Sequence, residues 1–239
     1  MQPDEELNIV IPVFNEDKNF PKTYHAIQEH VKVKYRIVVV YDFDEDTTVP
    51  VVKKLAETDA RLTLVKNTLG RGPANALRAG FNSVQSGPVL VVMADLSDDL
   101  RDVQKMMELY RKGFTVVCGS RYMRDGHQIG GPFVKRTLSR LAGLSLYYMR
   151  GIPTHDITNN FKLYDSRLLK EITIESEMGF AIAMEITVKA FLMNKNITEV
   201  PTTWKDRMEG EARFKLFKWL PQYLHWYFLA FGSRSKNPR

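Results

Sequence analysis

Apolar, strand-like runs alternate with helix-like segments through the first half of this 239-residue chain. Strands are predicted over residues 7–13, 35–41, 62–66, 89–94 and 115–120. Helices are predicted between them over residues 20–30, from about 49, over 73–84 and over about 102–112. Four such strand–helix units are typical of a mostly parallel, doubly wound sheet with helices on both faces. We therefore predict an α/β fold.

The fourth strand-like run ends in a cluster of carboxylates. Six apolar residues from Val89 to Ala94 predict a strand buried on both faces, and Asp95, Asp98 and Asp99 follow it. Open α/β sheets bind ligands at the carboxyl ends of their strands. Paired acids there can hold a divalent cation, which in turn holds a diphosphate. The alternative is an acidic helix start, because Asp is favoured at N-caps and in first turns.

A glycine-rich loop precedes the third predicted helix and contains Gly70, Arg71 and Gly72. Glycines permit close backbone approach, and the N–H groups of a helix start attract anions. The loop also resembles a degraded dinucleotide motif, but it follows the third strand and lacks the third glycine. A dinucleotide-dependent oxidoreductase is therefore a distant alternative.

The net charge of +6 fits an anionic partner such as phosphates or a lipid surface. The single cysteine, Cys118, excludes an internal disulfide and fits a reducing compartment. The first residues are acidic and polar, and no apolar run approaches the ~20 residues that span a bilayer. We expect a soluble or peripheral cytoplasmic protein, bound at the cytoplasmic face of a membrane, with no nucleic-acid partner.

The pattern changes after residue 120. A helix is predicted over residues 133–149, where basic and apolar side chains mix, and another over 181–193. Residues 214–231 are dense in aromatics and flanked by bases, as at a membrane interface. We predict a domain over residues 1–213 and a basic aromatic tail over 214–239 that forms a membrane-interface helix. The alternative is a terminal helix that packs on the domain and uses its aromatics as core.

Eight short motifs, taken in order, resemble those of family 2 glycosyltransferases. The first four are Pro-Val-Phe-Asn-Glu at 12–16, an acidic turn at 42–48, Gly-Arg-Gly-Pro-Ala at 70–74 and Ala-Asp-Leu-Ser-Asp at 94–98. The later four, at 119–122, 156–162, 199–201 and 207–214, look most like the dolichyl- and polyprenyl-phosphate sugar synthase branch. The resemblance covers about residues 7–216. It implies a GT-A-type nucleotide-sugar domain and an inverting, metal-dependent hexosyltransferase.

The resemblance also implies roles for individual residues. The nucleotide-binding candidates are Pro12, Phe14, Glu16, Asp42, Gly70, Arg71, Ala94 and Asp95. The candidate ligands for Mg²⁺ or Mn²⁺ are Asp95, Ser97 and Asp98. The phosphate-binding candidates are Arg121, Arg136, Arg207 and Arg213. The catalytic candidates are Arg121, Arg136 and Asp156. Asp156 is the candidate general base for a hydroxyl acceptor. The alternative for Asp156 is a turn cap.

The chain departs from the family pattern at several positions. Met93 replaces the first carboxylate of the usual Asp-x-Asp triplet, and Tyr41 replaces the first acid of a pair on the second strand. The expected partners are a GDP- or UDP-linked sugar, a polyprenyl phosphate acceptor and a membrane surface. One alternative is transfer to a saccharide or other hydroxyl in membrane glycan synthesis. Another is a noncatalytic nucleotide-binding or scaffold subunit.

Overall fold

The structure, a computed structural model, describes residues 5–177, 179–206 and 216–232. The strands are β1 (Leu7–Pro12), β2 (Tyr35–Tyr41), β3 (Leu62–Lys66), β4 (Pro88–Val91), β5 (Val116–Ser120), β6 (His127–Ile129), β7 (Lys162–Asp165), β8 (Ile197–Pro201) and β9 (Thr203–Lys205). The helices are α1 (Phe20–His30), α2 (Thr48–Ala56), α3 (Pro73–Ser83), α4 (Val103–Arg111), α5 (Phe133–Ser145), α6 (Ser166–Glu171), α7 (Ile182–Leu192) and α8 (Leu216–Leu229).

Seven strands form one sheet in the order β3-β2-β1-β4-β7-β5-β8, and β6 pairs with β9 in a second, two-stranded sheet. The pairs β1–β2, β1–β4, β2–β3 and β5–β8 are parallel. The exception is β7, which lies antiparallel between β4 and β5. The predicted α/β fold with a mostly parallel sheet is confirmed. The pattern along the chain did not predict β7, because its four residues begin with Lys162 and end with Asp165.

Alternate residues of the strands point to opposite faces, so each face of the sheet has its own apolar layer. Val10 belongs to the apolar layer that includes side chains of α3, α7 and α8, whereas Ile9 and Ile11 belong to the layer that includes side chains of α1 and α4. This arrangement buries the central strands on both sides, as parallel sheets require. It leaves the carboxyl ends of the strands as an open edge.

Two predicted elements differ in their ends. β4 stops at Val91, and the chain then turns, with Leu96 in the left-handed region at φ 59°. The helix predicted over 133–149 is α5 followed by a π-helical turn, Leu146–Arg150. Gly151 ends that turn at φ 75°, a conformation that favours glycine.

The last helix, α8, is partly core and partly surface. Trp226 and Ala230 are buried, and the Trp226 indole Nε1 donates a hydrogen bond to Ser176 Oγ at 3.0 Å. On the remaining surface of the helix, Leu224 and Phe228 are 44% and 66% exposed. Trp226 therefore packs in the core, as the alternative of a terminal helix packed on the domain predicts. Other apolar side chains of the same helix stay exposed. In the part of the chain that the structure describes, no helix is long and apolar enough to cross a membrane.

Replacing Trp226 with Ala should lower the free energy of unfolding by about 3–5 kcal/mol, because a large buried side chain leaves a cavity. Chemical denaturation measures this change. Phe228→Ala is the matched control on the same helix, since its side chain is exposed, and it should shift stability by no more than about 0.5 kcal/mol. Equal effects of the two substitutions would show that α8 does not dock in this way.

Candidate active site

A cavity of about 1050 Å³ opens at the carboxyl edge of the sheet. Pro12 lies at the end of β1, Asp42 follows β2, Asp95 follows β4 and Arg121 follows β5. All four residues line the cavity. Strands that run in parallel bring their carboxyl ends to one edge, so residues distant in sequence meet there.

Most of the site residues predicted from the sequence line this cavity. They are Pro12, Phe14, Glu16, Asp42, Arg71, Ala94, Asp95, Ser97, Asp98, Arg121 and Arg136. Gly70 and Asp156 are not among the lining residues. Arg207 and Arg213 lie outside the residues that the structure describes.

The turn after β1 is held by the acidic turn after β2. Both carboxylate oxygens of Asp46 lie 3.1 Å from the Asn15 backbone N–H, and Thr48 Oγ1 accepts a hydrogen bond from the Glu16 N–H at 2.9 Å. Asn15 has a φ of 52°, a left-handed conformation that Asn tolerates better than most residues. Asp46 is buried, so this part of the acidic turn fixes backbone rather than facing solvent. Phe14 and Glu16 are thereby presented to the cavity.

Asp42 fixes the glycine-rich loop. Its Oδ2 accepts a hydrogen bond from the Gly72 N–H at 2.8 Å, and its Oδ1 accepts one from Asn67 Nδ2 at 2.7 Å. Gly72 has a φ of 125° at the start of α3. The carbonyl of Gly70 accepts a hydrogen bond from the same Asn67 amide, so Gly70 shapes the loop from outside the cavity. Each carboxylate oxygen can accept a further hydrogen bond, so Asp42 can still bind a ligand.

The acids after β4 divide between two structural roles. Asp95 Oδ1 accepts a hydrogen bond from the Ser97 N–H at 3.1 Å, and Asp98 Oδ2 accepts one from the Met93 N–H at 3.0 Å. Both acids line the cavity. Asp99 instead caps a short 3₁₀ turn and pairs with Arg101, as the helix-start alternative predicts.

The pKa of the Asp98 carboxyl is raised to about 7, mainly by burial and also by the negative charge of Asp95, against the opposing effects of the Met93 N–H and Arg121. Two neighbouring carboxylates are hard oxygen ligands, and a divalent cation between them would relieve their repulsion. Across residues 5–177, 179–206 and 216–232, no three His, Cys, Asp or Glu side chains gather into a metal site. A cation bound at this pair would need further oxygen ligands, which a diphosphate can supply.

A buried ion pair positions Arg121. Its Nε lies 2.6 Å from Asp156 Oδ2, its Nη2 lies 2.9 Å from Oδ1, and its backbone N–H also donates to Oδ2 at 3.1 Å. Burial alone would raise the pKa of Asp156, but the charge and hydrogen bonds of Arg121 outweigh it and hold that pKa below the ordinary value. Asp156 Oδ1 also accepts a hydrogen bond from the Asn159 N–H at 3.2 Å, which makes it a turn cap.

The role of general base predicted for Asp156 does not fit this geometry. Its side chain is 0% exposed, and both carboxylate oxygens are hydrogen-bonded to Arg121. A base must reach the proton that it removes, directly or through one water molecule. In the structure, Asp156 holds the guanidinium of Arg121 in place.

Aromatic and hydroxyl side chains surround Arg121 on its cavity side. The guanidinium carbon lies 4.9 Å from the ring centre of Tyr122 and 6.0 Å from that of Trp204. Its Nη2 lies 3.2 Å from both Ser139 Oγ on α5 and Thr158 Oγ1. These contacts join the end of β5 to α5, which also carries Arg136.

The sequence did not predict the apolar part of the cavity wall. It consists of Val134, Leu138, Leu141 and Ala142 on α5, Trp219, Leu220, Tyr223, Leu224 and Tyr227 on α8, and Phe180, Met184 and Trp204 from other segments. Tyr227 donates a hydrogen bond to Ser145 Oγ at 3.0 Å, which joins the two helices. The aromatic residues of the tail indicated an apolar contact surface, but the sequence did not predict that this surface would lie against α5. The cavity thus has charged side chains at the carboxyl ends of the strands and a largely apolar wall on α5 and α8, although Lys135 and Arg136 of α5 also line it.

Residues 8–173 match the protein family described as "Glycosyl transferase family 2". The chain belongs to glycosyl transferase family 2. The match covers more than half of the chain and includes Asp42, Asp95, Arg121 and Asp156. This confirms the family predicted from the motifs, and the enzyme is a glycosyltransferase.

Two curated relatives cover most of this glycosyltransferase. The polyprenol monophosphomannose synthase of Mycolicibacterium smegmatis is 27% identical over an alignment of 235 residues that covers 92% of this chain and 88% of that protein. The dolichol-phosphate mannosyltransferase of Pyrococcus furiosus is 28% identical over an alignment of 216 residues that covers 88% of this chain and 59% of that longer protein.

Solved structures share the fold. Glucosyl-3-phosphoglycerate synthase from Mycobacterium tuberculosis, in complex with Mn²⁺, UDP and glucosyl-3-phosphoglycerate, aligns with a TM-score of 0.69 at 13% identity over 97% of this chain and 82% of that one. S. aureus TarS (residues 1–349), in complex with UDP-GlcNAc, aligns with a TM-score of 0.64 at 17% identity over 86% of this chain and 60% of that one. These similarities confirm the predicted GT-A-type α/β fold.

Replacing Asp156 with Asn in the glycosyltransferase should lower the free energy of unfolding by about 3–5 kcal/mol, because the buried Arg121 cation loses its counter-charge. Denaturation at neutral pH measures the loss. Because the folded-state pKa of Asp156 is lowered, its contribution is present above the ordinary aspartate pKa of about 3.9 and is lost as the pH falls. The difference between wild type and variant should therefore narrow in acid.

The matched control for this prediction is Asp125→Asn, whose side chain is 80% exposed. It should change stability by no more than about 0.5 kcal/mol. A pH-independent difference for Asp156→Asn, or an effect equal to that of the control, would contradict the buried ion pair.

Proposed function

We propose that this glycosyltransferase moves a sugar from a nucleotide-diphosphate donor to a polyprenyl phosphate, such as dolichyl or undecaprenyl phosphate, with inversion at the anomeric carbon. The observation that carries the proposal is the two-sided cavity, in which acids and arginines face an apolar wall. A nucleotide sugar fits the polar side, and an anion attached to a hydrocarbon chain fits the junction of the two sides. The names of the two curated relatives point to the same acceptor class.

The donor lies at the ends of β1, β2 and β4 in this proposal. Phe14 offers an aromatic face that is 42% exposed, and Asp42 offers a carboxylate acceptor for a nucleobase N–H. Pro12, Glu16 and Arg71 complete the nucleoside pocket. Asp95 and Asp98, with Ser97 beside them, would hold Mg²⁺ or Mn²⁺ together with the donor diphosphate.

The chemistry is a single displacement. An oxygen of the lipid phosphate forms a bond to the anomeric carbon as the bond between that carbon and the donor diphosphate breaks, and the diphosphate leaves with the electron pair. A phosphate is already an anion at neutral pH, so this acceptor needs little help from a general base. Arg121 and Arg136 orient the acceptor phosphate and stabilise the charge that develops on the diphosphate. The bound divalent cation would supply Lewis-acid stabilisation to the same leaving group.

A membrane surface supplies the acceptor. Phe133, Leu141 and Tyr148 are 70%, 59% and 75% exposed on and just after α5, and Phe228 is 66% exposed on α8. Arg140 is an exposed basic residue on α5. Apolar and basic side chains together are typical of a helix that lies in a membrane interface. We place the enzyme at the cytoplasmic face of a membrane, with the tail over residues 214–239 contributing to this contact.

Transfer assays test the proposal. The protein is incubated with labelled GDP-mannose or UDP-glucose and a short-chain polyprenyl phosphate in detergent, with Mg²⁺, with Mn²⁺ or with a chelator. We expect metal-dependent formation of a lipid-linked sugar phosphate from one donor. Transfer to a saccharide or to polyprenol, but not to the phosphate, would favour the hydroxyl-acceptor alternative. Nucleotide binding without any turnover would contradict the proposed activity.

Arg136→Gln should raise the KM for the polyprenyl phosphate at least tenfold, because a charge-assisted hydrogen bond to phosphate contributes about 1.5–3 kcal/mol. Arg140→Gln is the matched control, since Arg140 lies one turn further along α5 and outside the cavity lining. It should leave the KM within about twofold when the acceptor is presented in detergent. Equal effects of the two substitutions would place the acceptor phosphate elsewhere.

A further inference from the structure

Phe43 lies just after β2 and contacts two residues that line the donor side of the cavity. Its ring meets the ring of Phe14 edge to face, with centroids 5.3 Å apart and an interplanar angle of 64°. The guanidinium carbon of Arg71 lies 5.2 Å from the centroid of the same Phe43 ring. Phe43 itself is not among the residues that line the cavity.

We propose that Phe43 is a positioning residue for the donor nucleobase, because its ring holds Phe14 and Arg71 as the two sides of the base pocket. This inference rests on the proposed function and assigns a role to a residue that the motifs did not identify. The three residues come from three successive units of the sheet, at the ends of β1 and β2 and in the loop after β3. The Phe43 ring is a direct contact between these units at the cavity mouth.

Arg71 shows why such a contact matters. Its side chain is long and exposed, and a free arginine loses rotamer freedom when it binds a ligand. A cation–π contact holds the guanidinium near its bound position before the ligand arrives. Holding a group in its bound conformation increases affinity, since less freedom is lost on binding.

Phe14 depends on Phe43 in a similar way. Its ring stays 42% exposed at the cavity, although burying an aromatic ring is favourable. The edge-to-face contact with Phe43 supports one side of the ring and leaves another side for a ligand. A nucleobase has a flat π-face that can stack there, while its N–H edge donates to Asp42, whose carboxylate is fixed by the Gly72 N–H.

Two substitutions distinguish a positioning role of the Phe43 ring from a contribution of Phe43 to packing alone. Phe43→Leu keeps an apolar side chain but removes the π-system, whereas Phe43→Tyr keeps the ring. Titration calorimetry with Mn²⁺ would compare the dissociation constants of UDP, GDP and inorganic diphosphate. We expect Phe43→Leu to raise the dissociation constant of the preferred nucleoside diphosphate about five- to twentyfold. The dissociation constant of inorganic diphosphate should be unchanged. Phe43→Tyr should stay within about twofold of wild type.

A double-mutant cycle tests the route through Arg71. If Phe43 acts by holding Arg71, then Phe43→Leu should weaken binding less in an Arg71→Gln background than in wild type. In turnover assays, Phe43→Leu should raise the KM for the nucleotide sugar and leave kcat at saturating donor unchanged. Thermal unfolding of each variant reports whether the fold is retained.

Equal weakening of inorganic diphosphate and the nucleoside diphosphate by Phe43→Leu, or unchanged affinity for both, would overturn the inference. Strictly additive effects of Phe43→Leu and Arg71→Gln on the binding free energy would show that Phe43 does not act through Arg71. Failure of the proposed function gives a different result. A folded wild type that binds neither UDP nor GDP would overturn both claims, whereas one that binds a nucleotide without transferring sugar to a lipid phosphate leaves the role of Phe43 standing.

Discussion

The buried ion pair between Arg121 and Asp156 determines much of the geometry of the cavity. Removing a guanidinium from water is costly, and a well-placed carboxylate with further hydrogen bonds offsets that cost. Asp156 meets this need from a position 35 residues further along the chain. The pair ties the end of β5 to the segment before β7, and Arg121 Nη2 extends the connection to Ser139 on α5. The apolar side of the cavity is thus attached to the sheet through the same cation.

The polar side of the cavity carries acidic side chains that suit a cation and arginines that suit phosphates. Burial, and to a lesser extent the negative charge of Asp95, raises the pKa of Asp98, and a divalent cation bound there would offset the repulsion between the two carboxylates. Arg121 and Arg136 face the same space with positive charge. In the proposed reaction the diphosphate lies between the two sets, where its charge is balanced from both sides. The lipid phosphate then approaches where the arginines meet the apolar wall.

The sequence predicted the features that depend on local patterns. The bounds predicted for α1 and β2 agree with the structure, because apolar periodicity and the flanking polar residues specify them within a few residues. The carboxyl edge of the parallel strands then brings Asp42, Asp95 and Arg121 together, as the predicted topology requires.

Features that depend on contacts between distant segments were not predictable in this way. The short strand β7 has charged residues at both ends, and its insertion between β4 and β5 leaves no periodic signal. The ion pair of Asp156 was not predicted for a similar reason, since only the folded chain shows Arg121 covering its carboxylate. The apolar wall needs α5 and α8 side by side, and the aromatic content of the tail did not specify that arrangement. Nothing in the sequence indicated a role for Phe43 beyond its place in an acidic turn.

The most direct test of the proposed activity is a crystal structure of the protein with a nucleoside diphosphate, Mn²⁺ and a short-chain polyprenyl phosphate. We expect the base beside Phe14 and Asp42, and the lipid phosphate within hydrogen-bond distance of Arg121 or Arg136. The hydrocarbon chain should lie between α5 and α8. A nucleotide bound away from the carboxyl edge of the sheet, or a lipid phosphate bound outside this cavity, would contradict it.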